Sequence, residues 1–241
     1  MQPERLSPHE WLERQPLDSS EQLFAIFSNA SSAEPFKAWQ GFSPCPVWAD
    51  TAYAEWEPVM PYVGIVAADS EFLDWVARTE ATDWGWLAVS SSTQDSFVEH
   101  LRSLTQVLLP NGNAVFFRFW DGCHLLPILQ SMEVDVAQLL SVVKRCLING
   151  QPLEIGVAAQ NSPKDFPWWE VSTTLLKQLA EQSNTTRINN LLKWLSEDRP
   201  DLFEAFSESV LRHKIAIFLE APDLPPAPKS ALVDYLIAEL D

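Results

Sequence analysis

The fold class of this chain is decided by residues 84–120, which read WGWLAVSSSTQDSFVEHLRSLTQVLLPNGNAVFFRFW. The stretch begins with one strand-like run, Trp84 to Val89, and ends with another, Ala114 to Trp120, both rich in residues that favour strands. Between them, apolar residues recur at helical spacing and share one face: Phe97, Val98, Leu101, Leu104 and Leu108. A strand, a helix and a strand in this order predict a sheet with helices on its faces.

The helix in this stretch has recognisable boundaries. Ser91 followed by Gln94 has the spacing of a capping box, in which each side chain bonds the backbone near the other residue. Pro110-Asn111-Gly112 follows the last apolar position and is typical of a turn, since proline and glycine interrupt regular structure. We therefore predict that the helix is capped at Ser91 and stops at Pro110.

Strand-like and helix-like segments also alternate before this stretch. Leu23 to Phe27 and Tyr62 to Val66 are compact apolar runs of the kind found in buried strands. Asp69 to Arg78 places its apolar residues on one helical face, and a possible further strand begins at Pro152. We predict an α/β lobe over residues 1–160, with a mixed or mostly parallel sheet and flanking helices.

The second half of the chain changes character. Residues 161–170 are polar and contain prolines, which favours a hinge. From Val171 onward the pattern is mainly helical, and Pro200 suits the first turn of a helix that runs through Leu211. We therefore predict an all-helical lobe over residues 171–241.

Composition and charge exclude several classes of protein. The chain has 241 residues, of which 46% are hydrophobic and 20% charged, as in ordinary globular proteins. Its net charge of -17 repels phosphate backbones and anionic lipid, so we expect neither nucleic acid nor a membrane surface as a partner. Residues 1–16 combine several charges with few apolar side chains, so we expect no signal peptide and a cytoplasmic location.

One segment is unusually acidic. Residues 49–83 carry eight acidic side chains against Arg78 alone: Asp50, Glu55, Glu57, Asp69, Glu71, Asp74, Glu80 and Asp83. Such a segment is either a solvated surface, which is the commoner case, or a docking face for a basic partner.

Common catalytic and metal-binding motifs are missing from the sequence. The seven glycines form neither a phosphate-binding loop nor a Gly-x-Ser-x-Gly nucleophile elbow. Cys45, Cys123 and Cys146 lack paired spacing and are expected to be reduced thiols. We predict no cofactor and no metal site. A Cys123–His100 nucleophilic pair stays an alternative, because such partners meet only in the folded chain.

The segment Phe117-Arg118-Phe119-Trp120-Asp121 places a cation among aromatic residues. An arginine there must stay hydrated or find a partner, because a buried unpaired guanidinium is costly. Asp121 is one possible partner. Either an ion pair fixes the end of this strand, or Arg118 contacts a ligand.

Three pieces of the sequence resemble a known family. They are the helix segment His100-Leu101-Arg102, the turn Pro110-Asn111-Gly112, and the strand end Phe116 to Asp121 followed by Leu125 and Leu126. Together they resemble the effector adaptor-chaperones of bacterial type VI secretion, a family with domain of unknown function 4123. Leu23 to Ile26 and Pro61-Tyr62-Val63 extend the resemblance to roughly residues 20–132.

This sequence departs from the family pattern at three positions. Trp120 stands where the family has tyrosine, Gly122 where it has proline, and Ser28 where the opening strand often ends in aspartate. These departures affect individual contacts more than the family resemblance as a whole.

The resemblance implies an adaptor that is not an enzyme. Such proteins hold a secreted effector, usually near its N-terminal region, and help to load it onto the VgrG spike. Trp168 and Trp169, beside the predicted hinge, are the best candidates for the partner-binding site, because tryptophans are strong interface anchors. Trp120, Arg118 and Asp121 complete the predicted site, and we expect an exposed apolar patch or groove.

Two other classes of function stay open. A small-molecule hydrolase or transferase would use a cleft near Arg118, Asp121 and His124, and would need strongly shifted titratable groups there. An acidic mimic of nucleic acid would need one continuous acidic face, whereas the acids of this chain are spread over both halves.

Overall fold

A computed structural model of the chain describes residues 5–31, 34–41, 43–156, 166–220 and 228–240. The chain divides into two compact units, Met1–Leu175 and Leu176–Asp241. Strands and helices form the first unit and the described part of the second is helical, which confirms the predicted α/β part followed by an all-helical part. The predicted hinge at 161–170 stays a prediction, because residues 161–165 lie outside the described residues.

Eight strands occur in the described part of the first unit. They are β1 (Gln22–Ser28), β2 (Cys45–Pro46), β3 (Pro61–Val66), β4 (Gly85–Ser90), β5 (Gln106–Leu108), β6 (Ala114–Phe116), β7 (Arg145–Ile148) and β8 (Gln151–Glu154). A six-stranded sheet has the order β2-β3-β1-β4-β7-β8, and β5 pairs with β6 in a second, two-stranded sheet.

The helices of the described residues surround this sheet or form the second unit. They are α1 (Pro8–Arg14), α2 (Pro35–Ala38), α3 (Glu71–Arg78), α4 (Gln94–Ser103), α5 (Gly122–Leu129), α6 (Val136–Leu139), α7 (Thr173–Asp198), α8 (Pro200–Ala205), α9 (Glu208–Glu220) and α10 (Pro228–Ala238). A short 3₁₀ helix spans Glu57–Val59.

The predicted mixed or mostly parallel sheet is wrong, because every pairing in the six-stranded sheet is antiparallel. The helix-containing connection from β3 through α3 to β4 does join two strands that run in the same direction. Those strands are not neighbours, however, since β1 lies between them and is antiparallel to both. The alternation of strands and helices therefore indicated a split β-α-β unit rather than a parallel sheet.

Strand β1 is buried on both faces. On one face Leu23, Ala25 and Phe27 belong to a core that includes residues of α1 and α3. On the other face Phe24 stacks on Phe97 of α4, with 4.4 Å between ring centroids. Because helices cover both faces, the strand is a continuous apolar run rather than an alternating one.

Helix α4 is shorter than predicted. Thr93 caps it by accepting a hydrogen bond from the backbone N–H of Ser96, so the capping role predicted for Ser91 is wrong. The helix ends at Ser103, and Gln106–Leu108 turns into strand β5. The predicted turn at residues 110–112 joins β5 to β6, and the resulting hairpin replaces the last helical turn. Gly112 has a φ of +81°, which suits this turn.

The second unit has its own hydrophobic core. Apolar side chains from α7, α8, α9 and α10 meet there: Leu192, Leu195, Leu202, Leu211, Ile215, Leu219, Leu232 and Leu236. The predicted single helix from Pro200 through Leu211 is divided, because Phe206 has an extended backbone between α8 and α9. No helix within the described ranges of the chain is long and apolar enough to span a membrane.

A glycine substitution tests how closely β1 and β4 pack. In Gly85→Ala, the new Cβ would lie 2.1 Å from the carbonyl oxygen of Ile26, at a φ of +140°. We expect a loss of about 1–3 kcal/mol from overpacking in addition to the backbone strain. Urea unfolding followed by tryptophan fluorescence measures the loss, since every tryptophan except Trp194 lies in the first unit.

The matched control is Gly112→Ala. This glycine also has a positive φ, but an added Cβ would meet nothing within 4 Å. The control should lose only the strain contribution, on the order of 1 kcal/mol. Equal losses in the two variants would contradict the close packing of β1 on β4.

Candidate partner-binding surface

The aromatic segment after β6 is part of the core rather than a continuing strand. The predicted strand from Ala114 to Trp120 ends at Phe116, and the backbone N–H of Phe117 donates to Thr105 O at 3.0 Å. Phe117 and Phe119 are buried. Trp120 is also buried, at 6% exposure.

Two tryptophans, Trp86 and Trp48, hold this segment in place within the first unit. The indole N–H of Trp86 in β4 donates to the carbonyl oxygen of Phe119 at 2.8 Å. The ring of Trp120 packs edge-on against buried Trp48, with centroids 5.4 Å apart. These contacts make Trp120 a packing residue whose exposed area for a partner is small.

Arg118 and Asp121 form the ion pair that the sequence suggested. A guanidinium nitrogen of Arg118 donates to Asp121 Oδ2 at 2.7 Å. Asp121 also caps α5, because its Oδ1 accepts from the backbone N–H of Cys123 at 2.9 Å. The Asp121 side chain is only 3% exposed, whereas that of Arg118 is 51% exposed. The geometry favours the structural interpretation, in which the pair fixes the chain where β6 leads into α5.

The residues of the predicted enzymatic cleft do come together. His124 Nε2 lies 3.8 Å from Asp121 Oδ2, beside the Arg118 contact. Both carboxylate oxygens of Asp121 are already used by Arg118 and by the helix cap, which leaves little access for a substrate.

The alternative nucleophilic pair gains no support from the described residues. The two ring nitrogens of His100 face Leu139 O at 2.9 Å and Ser141 Oγ at 3.5 Å. Cys123 is exposed on α5. Among the residues that the structure describes, no group of three or more His, Cys, Asp or Glu side chains could hold a metal ion.

Trp168 and Trp169 are half-buried within the first unit. The indole N–H of Trp168 donates to Ser103 Oγ at 3.0 Å, and the Trp169 ring lies 5.2 Å from that of Phe117. The backbone around them pairs with β5, since Leu108 N–H donates to Trp169 O at 2.8 Å. Both indoles therefore have an intramolecular anchor and a remaining exposed part. Their role in partner binding stays a prediction.

A partly exposed set of aromatic side chains was not predicted from the sequence. Tyr53, Trp56 and Phe116 pack on one another with ring centroids 5.0 to 5.6 Å apart. Trp48 lies beneath them, 6.0 to 6.4 Å from each ring. We call these four residues the aromatic cluster. The one signal for it in the sequence is the density of tryptophan and proline between residues 39 and 58.

Removal of the Asp121 carboxylate tests its structural role. Asp121→Ala should lose about 2–3 kcal/mol, because it removes both the cap of α5 and the buried carboxylate that pairs with Arg118. Asp135→Ala is the matched control: Asp135 is an exposed cap that accepts from Gln138 N–H at 3.0 Å, and its loss should cost about 1 kcal/mol. Urea unfolding measures both. Losses of similar size would argue against a buried clamp at Asp121.

Comparison with known proteins finds one matching family model. No curated protein and no solved structure matches the chain significantly. One family model does match, and the matched region includes β1, β3, the aromatic cluster and the Arg118–Asp121 pair. Residues 23–138 thus match the family described as Domain of unknown function (DUF4123).

Proposed function

We propose that this chain is an adaptor-chaperone of type VI secretion that binds a secreted effector and helps to load it onto the VgrG spike. The observation that carries the proposal is the family match over residues 23–138, which contains all three motifs of the resemblance. The effector adaptors of type VI secretion have this same domain.

The geometry of the first unit supports a binding role. The Arg118–Asp121 pair holds the start of α5. Partly exposed rings lie beside the β5–β6 hairpin: Trp56 packs on Phe116, and Trp169 packs on Phe117. Exposed aromatic rings provide binding energy without any chemical step, as an adaptor requires. We propose that the protein is not an enzyme and needs no cofactor.

The proposed partners are proteins. The net charge of -17 makes nucleic acid and anionic membranes poor partners, because like charges repel. The proposed site of action is the cytoplasm, where an effector is held before secretion, and the effector segment recognised is proposed to lie near its N-terminus.

A pull-down from the native bacterium tests the proposal. Tagged wild-type protein should recover a protein with a toxin-like domain together with a VgrG spike component, both identified by mass spectrometry. Trp168→Ala/Trp169→Ala should recover at least tenfold less, since truncation of an interface tryptophan costs about 2 kcal/mol or more when the ring is a hot spot.

The control for this test is Trp75→Ala, which removes another half-buried tryptophan, on α3. It should recover both partners as wild type does, and thermal unfolding should show that all variants are folded. Equal recovery by wild type and the double variant would keep the function and discard the Trp168–Trp169 site. Absence of both partners, together with turnover of a small-molecule substrate, would replace the adaptor with an enzyme acting near Arg118, Asp121 and His124.

A further inference from the structure

We propose that the aromatic cluster is the docking surface for a segment of the effector that carries arginine or lysine beside apolar residues. This inference rests on the proposed adaptor function and specifies the chemistry of the client. Four features of the described residues support it: exposure, rigidity, charge, and the unsuitability of the surface for self-association.

The upper rings of the cluster are open to solvent. The side chain of Trp56 is 45% exposed and that of Phe116 is 37% exposed, although both rings already pack on neighbours. Nearby Val59 is 38% exposed as well. An exposed tryptophan with apolar neighbours is the composition typical of the energetic centre of a protein interface.

The lower ring of the cluster is held rigidly. Trp48 is 1% exposed, and its indole N–H donates to Thr105 Oγ1 at 3.0 Å. The adjacent Val47 accepts from Arg102 Nε at 2.7 Å through its carbonyl oxygen and donates its own N–H to Pro61 O at 2.8 Å. Trp48 and Val47, which form the base of the aromatic cluster, are thus hydrogen-bonded to α4, to β3 and to Thr105. A partner that docks on the cluster has little ordering entropy to overcome.

Acidic residues neighbour the exposed indole of Trp56 in the chain. Glu55 and Glu57 flank Trp56 in the sequence and are exposed, and Asp50 is exposed in the same loop. Two cations lie near the cluster: Arg118 pairs with Asp121 at 2.7 Å, and Arg102 donates to the carbonyl oxygen of Val47 at 2.7 Å. Residues 47–59, which carry Trp48, Tyr53 and Trp56, contain three acidic residues and no basic one, so this loop favours a cationic partner.

Carboxylates beside an exposed indole favour one class of occupant. A guanidinium or ammonium group can lie over the ring face of Trp56 while it pairs with Glu55 or Glu57. Arginine suits this geometry best because its planar group stacks on aromatic rings. A second copy of this chain is disfavoured, since a symmetric contact would bring the same carboxylates together.

A peptide titration of the full chain tests the surface directly. The probe is a synthetic peptide of alternating arginine and leucine, and its counterpart replaces arginine with glutamate. The measurement is the NMR signal of the Trp56 indole N–H, assigned by its loss in Trp56→Phe. We expect the arginine peptide to shift this signal at low salt and the glutamate peptide to leave it unchanged.

Two variants separate the docking surface from general charge attraction. Glu55→Gln/Glu57→Gln should weaken binding of the arginine peptide about fivefold, as two partly screened charge pairs would. Asp69→Asn/Glu80→Gln removes the same charge at the two ends of α3 and should stay within about twofold of wild type. Equal weakening by the two pairs, or no shift at Trp56, would overturn the inference.

The effector itself provides the second readout. Trp56→Ala should reduce capture of the recovered effector about tenfold, because a central exposed tryptophan is typically among the residues that carry most of the binding energy. Capture by Trp56→Ala equal to that of wild type would overturn the docking surface and leave the adaptor function intact. Failure of wild type to capture any type VI effector would overturn the adaptor function, and the inference with it.

Discussion

Burial of β1 on both faces is the constraint on which the first unit depends. All five residues from Leu23 to Phe27 are at most 1% exposed, so each face of the strand must be covered by apolar side chains. Residues of α1 and α3 cover one face, and α4 covers the other through Phe97. The antiparallel neighbours β3 and β4 meanwhile satisfy the backbone of β1 on both edges. The aromatic cluster is held by the residues that follow α4, so its position depends on this same arrangement.

Residues 117–121 connect β6 to α5, and each of them has a structural role in that connection. The two phenylalanines fill the core, Arg118 and Asp121 hold the helix start, and Trp120 packs beneath the cluster. A structural role for this segment is compatible with an adaptor function. It keeps the hairpin that carries Phe116 in place, and Phe116 is part of the exposed surface.

The local signals of the sequence were sufficient for β1, β3, β4, α3 and most of α4, because each of these has a clear apolar run or face. The direction of the strands was not predictable in the same way. It depends on the position of β1 between β3 and β4, and this position is set by pairing between residues that are distant in the chain. Residues 104–108 continue a helical pattern locally, yet pairing with β6 makes three of them a strand. Helix α5 was not predicted from the sequence. It contains Pro127, a residue that usually interrupts helices.

The candidate surface was harder to predict than the fold because irregular segments have no period that separates buried from exposed residues. Trp48 and Trp56 lie in the same proline-rich connection, yet one is 1% exposed and the other 45%. The difference arises from residues later in the chain. Trp48 donates its indole N–H to Thr105 Oγ1 and packs against Trp120, whereas the ring of Trp56 packs on the aromatic rings around it. Glu55 and Glu57, one residue to either side of Trp56, keep this part of the chain hydrated. An indole that the chain cannot bury, held on a rigid base among carboxylates, is thus available to a partner with the opposite charge.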